Sequence, residues 1–100
     1  MPAKKLLDDY VTDIQLQLRE GNFDLALKDI QSALLSYPTN PKLHINGGNI
    51  YKLLGDMDNA ELYFTKALSI HKSKEVLNNL SVIHIERRNY DQAISLAREA

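Results

Sequence analysis

The chain lacks cysteine and tryptophan, and it has only four glycines and three prolines among its 100 residues. Without cysteine it can form no disulfide, no thiolate metal site and no cysteine nucleophile, although this absence does not distinguish the cytosol from a periplasm. A composition of 44% hydrophobic and 25% charged residues is typical of a folded chain. We expect a folded, cytoplasmic protein that carries no cofactor.

An excess of charge of either sign is also missing. The 12 Lys and Arg residues against 13 Asp and Glu residues give a formal net charge of −1, and the two signs are interspersed. Proteins that bind nucleic acid normally carry a basic stripe, so we expect no nucleic-acid partner. No apolar run is long enough to cross a bilayer, and residues 1–9 are too short and too acidic to hold a signal-peptide core. We therefore expect no membrane insertion.

What the chain does have is repetition. The phrase at residues 21–26, Gly-Asn-Phe-Asp-Leu-Ala, returns in related form at residues 55–60 and again at residues 88–93. Gly21 and Gly55 open the first two copies, and Arg88 opens the third. A repeat period of about 34 residues is typical of stacked supersecondary units. The functional question then becomes what the stacked surface binds.

Apolar residues recur at three- and four-residue steps through most of the chain, which predicts helices and leaves almost no sequence for strands. Tyr37 precedes Pro38, and a residue before proline disfavours the helical region, so the second helix should end there. Asn22, Asp56 and Asn89 precede the second helix of each pair as expected N-caps. The six expected helices span residues 8–20, 24–37, 42–54, 58–71, 74–87 and 91–100.

Small residues recur in the second helix of each pair, where they would let two helices approach closely. They are Ala26, Ala33, Ala60, Ala67, Ala93 and Ala100. The middle unit resembles the tetratricopeptide repeat, and the matching positions are Gly48, Tyr51, Gly55, Ala60, Phe64 and Ala67. The first unit matches at Gly21, Phe23, Ala26, Ala33 and Pro38. The third matches at Leu77, Leu80, Ser81, Tyr90, Ala93 and Ala100, with Arg88 in place of the turn glycine.

The resemblance implies an all-α fold, a right-handed solenoid of antiparallel helix pairs with three repeats and six helices. The repeats would cover about residues 7–40, 41–73 and 74–100 of a single domain. Since the last helix stops without a capping residue, we expect a truncated third repeat and a fragment of a longer protein. The uncapped end, with Ile94, Ala97 and Ala100, would favour self-association.

Members of this family usually bind a peptide or another protein in the concave groove lined by the first helix of each repeat. Helical geometry places the groove-facing residues opposite the packed face of each first helix. In unit one these are Thr12, Gln15 and Arg19. In unit two they are Ile45, Asn46, Asn49, Lys52 and Leu53. In unit three they are Asn78, Asn79, Val82, Ile85 and Glu86.

Asn46 and Asn79 should project from equivalent places on consecutive repeats, since they are one repeat period apart. This resembles the asparagine ladder of O-linked N-acetylglucosamine transferase repeats, in which amides hold the main chain of an extended polypeptide. Thr12 interrupts the ladder in unit one, and the alternative is that both asparagines are ordinary solvent-facing residues. The carboxylate clamp of chaperone-binding relatives is not favoured, because only Asn46 and Lys52 suit that chemistry.

The sequence offers little sign of catalysis or metal binding. His44 and His84 occupy places where the repeat needs bulk and are expected to pack, while His71 lies near a helix end. Their spacing matches no metal site, and no Ser, His and Asp set suggests a triad. The basic pairs Lys4-Lys5 and Arg87-Arg88 are interpreted as solvated.

We therefore expect a non-enzymatic module that binds a protein or an extended peptide as a scaffold or adaptor. One alternative is the substrate-docking region of a larger enzyme such as a glycosyltransferase. Another is a helical-repeat nucleic-acid reader, which the balanced charge argues against.

Overall fold

The computed structural model describes residues 5–99 of the chain, without the side chains at 90, 92, 93, 95–97 and 99. No strand occurs within this range, so the all-helical prediction is confirmed for it. The helices are α1 (Leu7–Arg19), α2 (Phe23–Ser36), α3 (Pro41–Leu53), α4 (Met57–Ile70) and α5 (Lys74–Glu99). The molecule is elongated, with extents of 63 × 29 × 21 Å, because each helix packs mainly on its neighbours in the chain.

The two tight turns depend on glycines with positive φ. Gly21 has φ 77° and Gly55 has φ 80°, a region that residues with a Cβ rarely adopt. Beyond each glycine the backbone N–H reaches back into the preceding helix: Asn22 N donates to Gln17 O at 2.8 Å, and Asp56 N donates to Tyr51 O at 2.9 Å. These bonds satisfy carbonyls that the helix end would leave unpaired.

The expected caps behave differently at the two turns. Asp56 accepts a hydrogen bond from the backbone N–H of Asn59 at 3.2 Å, which confirms it as the N-cap of α4. Asn22 makes no such bond; its Nδ2 donates instead to Gln17 Oε1 at 3.0 Å. The prediction of a side-chain cap at Asn22 was therefore wrong.

The third repeat departs from the prediction of six helices. Where a turn was expected at residues 88–90, α5 continues unbroken from Lys74 to Glu99, so the described part of the chain has five helices. Arg88 stands where the other turns have a glycine, and a left-handed backbone is costly for a residue with a Cβ. Asn89 consequently lies inside a helix and caps nothing, which corrects its expected role.

Two apolar clusters form the core. The first joins α1, α2 and α3, and its buried residues are Ile14, Ala26, Leu27, Ile30, Ala33, Leu43 and Ile50. The second joins α4 to α5, and its buried residues are Ala60, Phe64, Ala67, Val76 and Ile83. The predicted packing of small residues is confirmed where the side chains are described, because Ala26, Ala33, Ala60 and Ala67 are fully buried.

Candidate binding surface

The middle helix α3 has one packed face and one open face. Its buried residues are Leu43, His44, Gly47, Gly48 and Ile50. With 3.6 residues per turn, the expected groove residues Asn46, Asn49, Lys52 and Leu53 fall on the opposite side of the helix. Leu53 is 70% exposed there. The open face of α3 thus presents two amides, one cation and one large apolar side chain.

Asn46 and Asn49 lie on this face as half-buried side chains. Within residues 5–99, neither amide has a hydrogen-bond partner. Asparagine carries a carbonyl acceptor and two N–H donors, and the two residues are separated by almost one helical turn. The pair therefore offers hydrogen bonds of both polarities at adjacent points on the surface.

The expected groove residues of the other two repeats also reach the surface. Thr12, Gln15 and Arg19 are exposed on α1, but the Thr12 hydroxyl donates to Asp8 O at 2.9 Å and is partly occupied. On α5, Asn78, Val82 and Glu86 are exposed, and Asn79 is half-buried. Ile45 differs from the rest of the set, since it packs against the second core cluster. The main contact of Ile45 is therefore with the core.

Apolar side chains that were assigned to the groove are exposed as well. Ile85 is exposed on α5, one turn from Val82, and Leu53 is exposed at the end of α3. Since Val82 and Ile85 are three residues apart, both lie on one face of α5. Both α3 and α5 thus present amides and apolar side chains.

Comparison with known proteins identifies the repeats. Residues 41–73 and residues 75–100 each match a family profile described as the tetratricopeptide repeat, and the two matches together cover more than half of the chain. The chain belongs to the tetratricopeptide repeat family. Repeats of this family generally mediate protein–protein interaction.

One relative of this tetratricopeptide repeat chain is tetratricopeptide repeat protein 21A of Mus musculus. The two are 32% identical over 80 residues, which make up 79% of this chain and 6% of the mouse protein. The chain thus spans only a small part of that relative's length.

The histidines of the tetratricopeptide repeats have different surroundings. His44 is buried as expected, and its Nε2 lies 3.0 Å from the Pro38 carbonyl oxygen. Its ring is 6.0 Å from that of Tyr63, which in turn is 5.3 Å from that of Tyr51. His84 is exposed, so its expected packing role was wrong for this structure. Among the described residues, no group of three or more His, Cys, Asp and Glu side chains is placed to hold a metal ion.

Arg87 and Lys5, which were expected to be solvated, form ion pairs. Arg87 Nη2 lies 2.8 Å from Asp58 Oδ1, and Arg87 Nη1 also contacts Glu61, so one guanidinium joins α5 to α4. Lys5 lies 2.5 Å from Asp13, and this hydrogen bond raises the pKa of the Lys5 ammonium. The partners of Arg87 lie on the preceding helix, beyond the reach of local sequence patterns.

Within the described range, no helix is both long enough and apolar enough to cross a bilayer.

Proposed function

We propose that this chain is a non-enzymatic protein-interaction module whose concave groove holds an extended segment of a partner protein. The groove would be lined by α1, α3 and the first half of α5, in a right-handed stack of three repeats at about residues 7–40, 41–73 and 74–100. The module would act as a scaffold or adaptor in the cytoplasm, as part of a longer protein, with no nucleic-acid partner.

The observation that carries this proposal is the unpaired amide pair Asn46 and Asn49. Among the described residues no unpartnered side-chain polar atom is buried, so these amides reach solvent on an open face and can exchange water for a ligand. A peptide main chain is the complementary ligand, because each peptide group offers one donor and one acceptor. Asn79 lies one repeat period after Asn46 and is likewise half-buried, which supports a second rung. This mode resembles the asparagine ladder of O-linked N-acetylglucosamine transferase repeats.

Specificity would come from the groups around the amides. Arg19 and Lys52 supply positive charge on α1 and α3, whereas Glu86 supplies negative charge on α5. Leu53 on α3 and Val82 on α5 offer exposed apolar contacts. We propose that the preferred segment places an acidic residue near Lys52 and an apolar residue near Val82, with the amides holding its backbone.

The test begins with a display library of unstructured peptides selected on the purified chain. The affinity of the best peptide is then measured for the parent, Asn46→Ala, Asn49→Ala and Asn79→Ala, with Lys28→Ala on α2 as an exposed control. Each lost amide pairing should weaken binding by about two- to tenfold, since a hydrogen bond to a ligand contributes about 0.5–1.5 kcal/mol. Lys28→Ala should leave affinity unchanged.

A second arm tests whether the main chain is what the amides hold. N-methylation of a contacted peptide bond removes its donor and should weaken binding as much as Asn46→Ala does, while alanine at the same peptide position should be tolerated. Selected peptides that bind the asparagine variants and the parent equally would contradict the proposal.

Self-association and substrate docking are not part of this proposal. Self-association through the C-terminal end stays a prediction, because Ala97 and Ala100 lie outside the described side chains and Ile94 is only 37% exposed. A substrate-docking role in a larger enzyme is not proposed, since no observation favours it.

A further inference from the structure

One face of α5 is bare although the same face of α3 is covered. Leu77, Ser81 and His84 are exposed, with Leu77 at 47%. Their counterparts in α3, each one repeat period earlier, are His44, Gly48 and Tyr51. His44 is only 8% exposed and Gly48 is buried. The second and third repeats therefore differ in what lies against this face.

In the second repeat the covering element is α4, the helix that follows α3 in the chain. A Cβ built on Gly48 would lie 2.8 Å from the Phe64 ring, so the two helices are as close as a glycine allows. Residues 91–99 stand in the same sequence relation to the first half of α5, because Asp91 follows Asp58 by one repeat period. In the structure this segment continues α5 in a straight line.

Arg88 accounts for the straight path. The turns before α2 and α4 need φ of 77° and 80° at Gly21 and Gly55, and arginine adopts that region at a cost. Continuing the helix avoids this cost but leaves the face of Leu77 and Ser81 in water. The straight arrangement avoids a local backbone penalty, and the folded-back arrangement buries more surface. Both states are populated where these opposed terms differ by no more than a few kcal/mol.

We propose that α5 is a two-state element in which residues 91–99 fold back at residues 88–90 onto the face formed by Leu77, Ser81 and His84. The occupant of this bare face is thus a segment of the same chain. Folding back would complete the third repeat, while the straight state leaves its face open.

The ion pairs of Arg87 restrict the proposed fold-back to the part of α5 that follows Arg87. Arg87 is held by Asp58 and Glu61 of α4, so the first half of α5 stays attached to the stack in both states. A shallow depression beside Arg87 includes Thr65 of α4, which follows Gln31 of α2 by one repeat period. Tyr63 of α4 packs against the first core cluster, to which α2 contributes Ile30 beside Gln31. The depression is the corresponding seat for residues 91–99 on α4.

The test measures the distance across α5 with two spin labels. The chain has no native cysteine, so Lys74→Cys and Arg98→Cys, both at exposed positions, label it specifically. At 1.5 Å per residue the straight helix separates these Cα atoms by about 36 Å, whereas an antiparallel helix pair brings them within roughly 15 Å. Double electron–electron resonance resolves the two distances as separate populations.

Arg88→Gly in the labelled chain should raise the ratio of short to long distances about fivefold, because glycine weakens the helix and adopts the turn conformation. Arg88→Ala is the matched control, since it removes the same side chain but keeps helix propensity, and it should not raise the ratio. A distribution in Arg88→Gly that stays entirely at the long distance would overturn the proposal.

A second copy of the chain could cover the same face instead. To separate the two cases, the doubly labelled protein is diluted tenfold into unlabelled protein at constant total concentration. A short distance between labels on one chain persists after dilution. It is also present in the monomer fraction isolated by sedimentation. If the short distance is found only in a dimer fraction, the second copy is the occupant and the proposal is overturned.

Discussion

Gly48 lies against the ring of Phe64 so closely that a Cβ on Gly48 would come within 2.8 Å of Phe64 Cδ1. Real Cβ atoms do not approach a ring atom so closely, and Phe64 is fully buried, so the ring has little room to withdraw. This contact sets the separation of α3 and α4 and hence the position of the open face of α3. The position of the next helix pair also depends on this contact, because each repeat packs on the one before it.

Replacing Gly48 by alanine should destabilise the fold by about 1–3 kcal/mol from overpacking, offset in part by the better helix propensity of alanine. The midpoint of urea unfolding measures the change. Ser81→Ala is the matched control at the equivalent place in α5, where the side chain is exposed, and it should change stability by less than about 0.5 kcal/mol. Equal effects of the two substitutions would contradict this view of the contact.

Replacing Gly55 by alanine should destabilise the chain by about 1–2 kcal/mol for a different reason. Nothing lies within 4 Å of a Cβ at this position, so only the backbone conformation, with φ 80°, opposes the substitution. Gly55→Asn should cost less, because asparagine tolerates the left-handed region better than alanine does. The same urea assay decides, and an asparagine variant less stable than the alanine variant would exclude the backbone explanation.

Removing the guanidinium of Arg87 should reduce stability by about 0.5–1 kcal/mol, because partly exposed ion pairs contribute little in water. Arg88→Ala, one residue on, is the control, since Arg88 has no ion pair among the described residues. The difference between the two variants should shrink when unfolding is repeated in high salt, which screens exposed charges. A difference that is independent of salt would indicate that Arg87 acts through packing instead.

Alkaline pH should destabilise the chain through Tyr63. Burial raises the pKa of Tyr63, Tyr51 adds to the effect, and a hydrogen bond with Gln31 opposes it. The folded state therefore keeps the phenol proton at a pH where the unfolded state has lost it. The contribution is present in full below the unfolded value of about 10 and is lost as pH rises through the raised folded value.

The measurement for Tyr63 is urea unfolding of the parent chain and of Tyr63→Phe between neutral pH and the alkaline range. The parent should lose more stability than the variant above about pH 10. The pKa of Lys5 is also raised, so stability tied to Lys5 also falls at alkaline pH, but it does so equally in both proteins and cancels in the comparison. Parallel pH profiles would show that Tyr63 does not contribute.

Part of the fold was predictable because its causes are local. Gly21 and Gly55 mark the turns, since only glycine adopts their backbone conformation readily. Ala60 and Ala67 recur at the spacing that buries one helix face, and both are buried. Helical geometry alone assigned Asn46 and Asn49 to the groove; both are half-buried, and their place in a groove stays a prediction.

Other features were not predictable from local patterns. Asn22 and Asp56 occupy the same place before a helix, yet only Asp56 caps it, while the Nδ2 of Asn22 donates to Gln17. Ile45 resembled a groove residue by its spacing, but a neighbouring helix brings the second core cluster against it. The contact of Ile45 depends on helix packing, because the residues of that cluster lie on α4 and α5.

Residue chemistry alone is enough to predict a repeated helix–turn–helix chain with its period, its glycine turns and the face that each helix buries, because these depend on neighbours within about one helical turn. The partners of Arg87 and the unbroken course of α5 through Arg88 were decided only by the assembled structure. Both depend on which surfaces lie beside each other once the helices stack, and on the balance between a local backbone cost and the surface that a turn would bury.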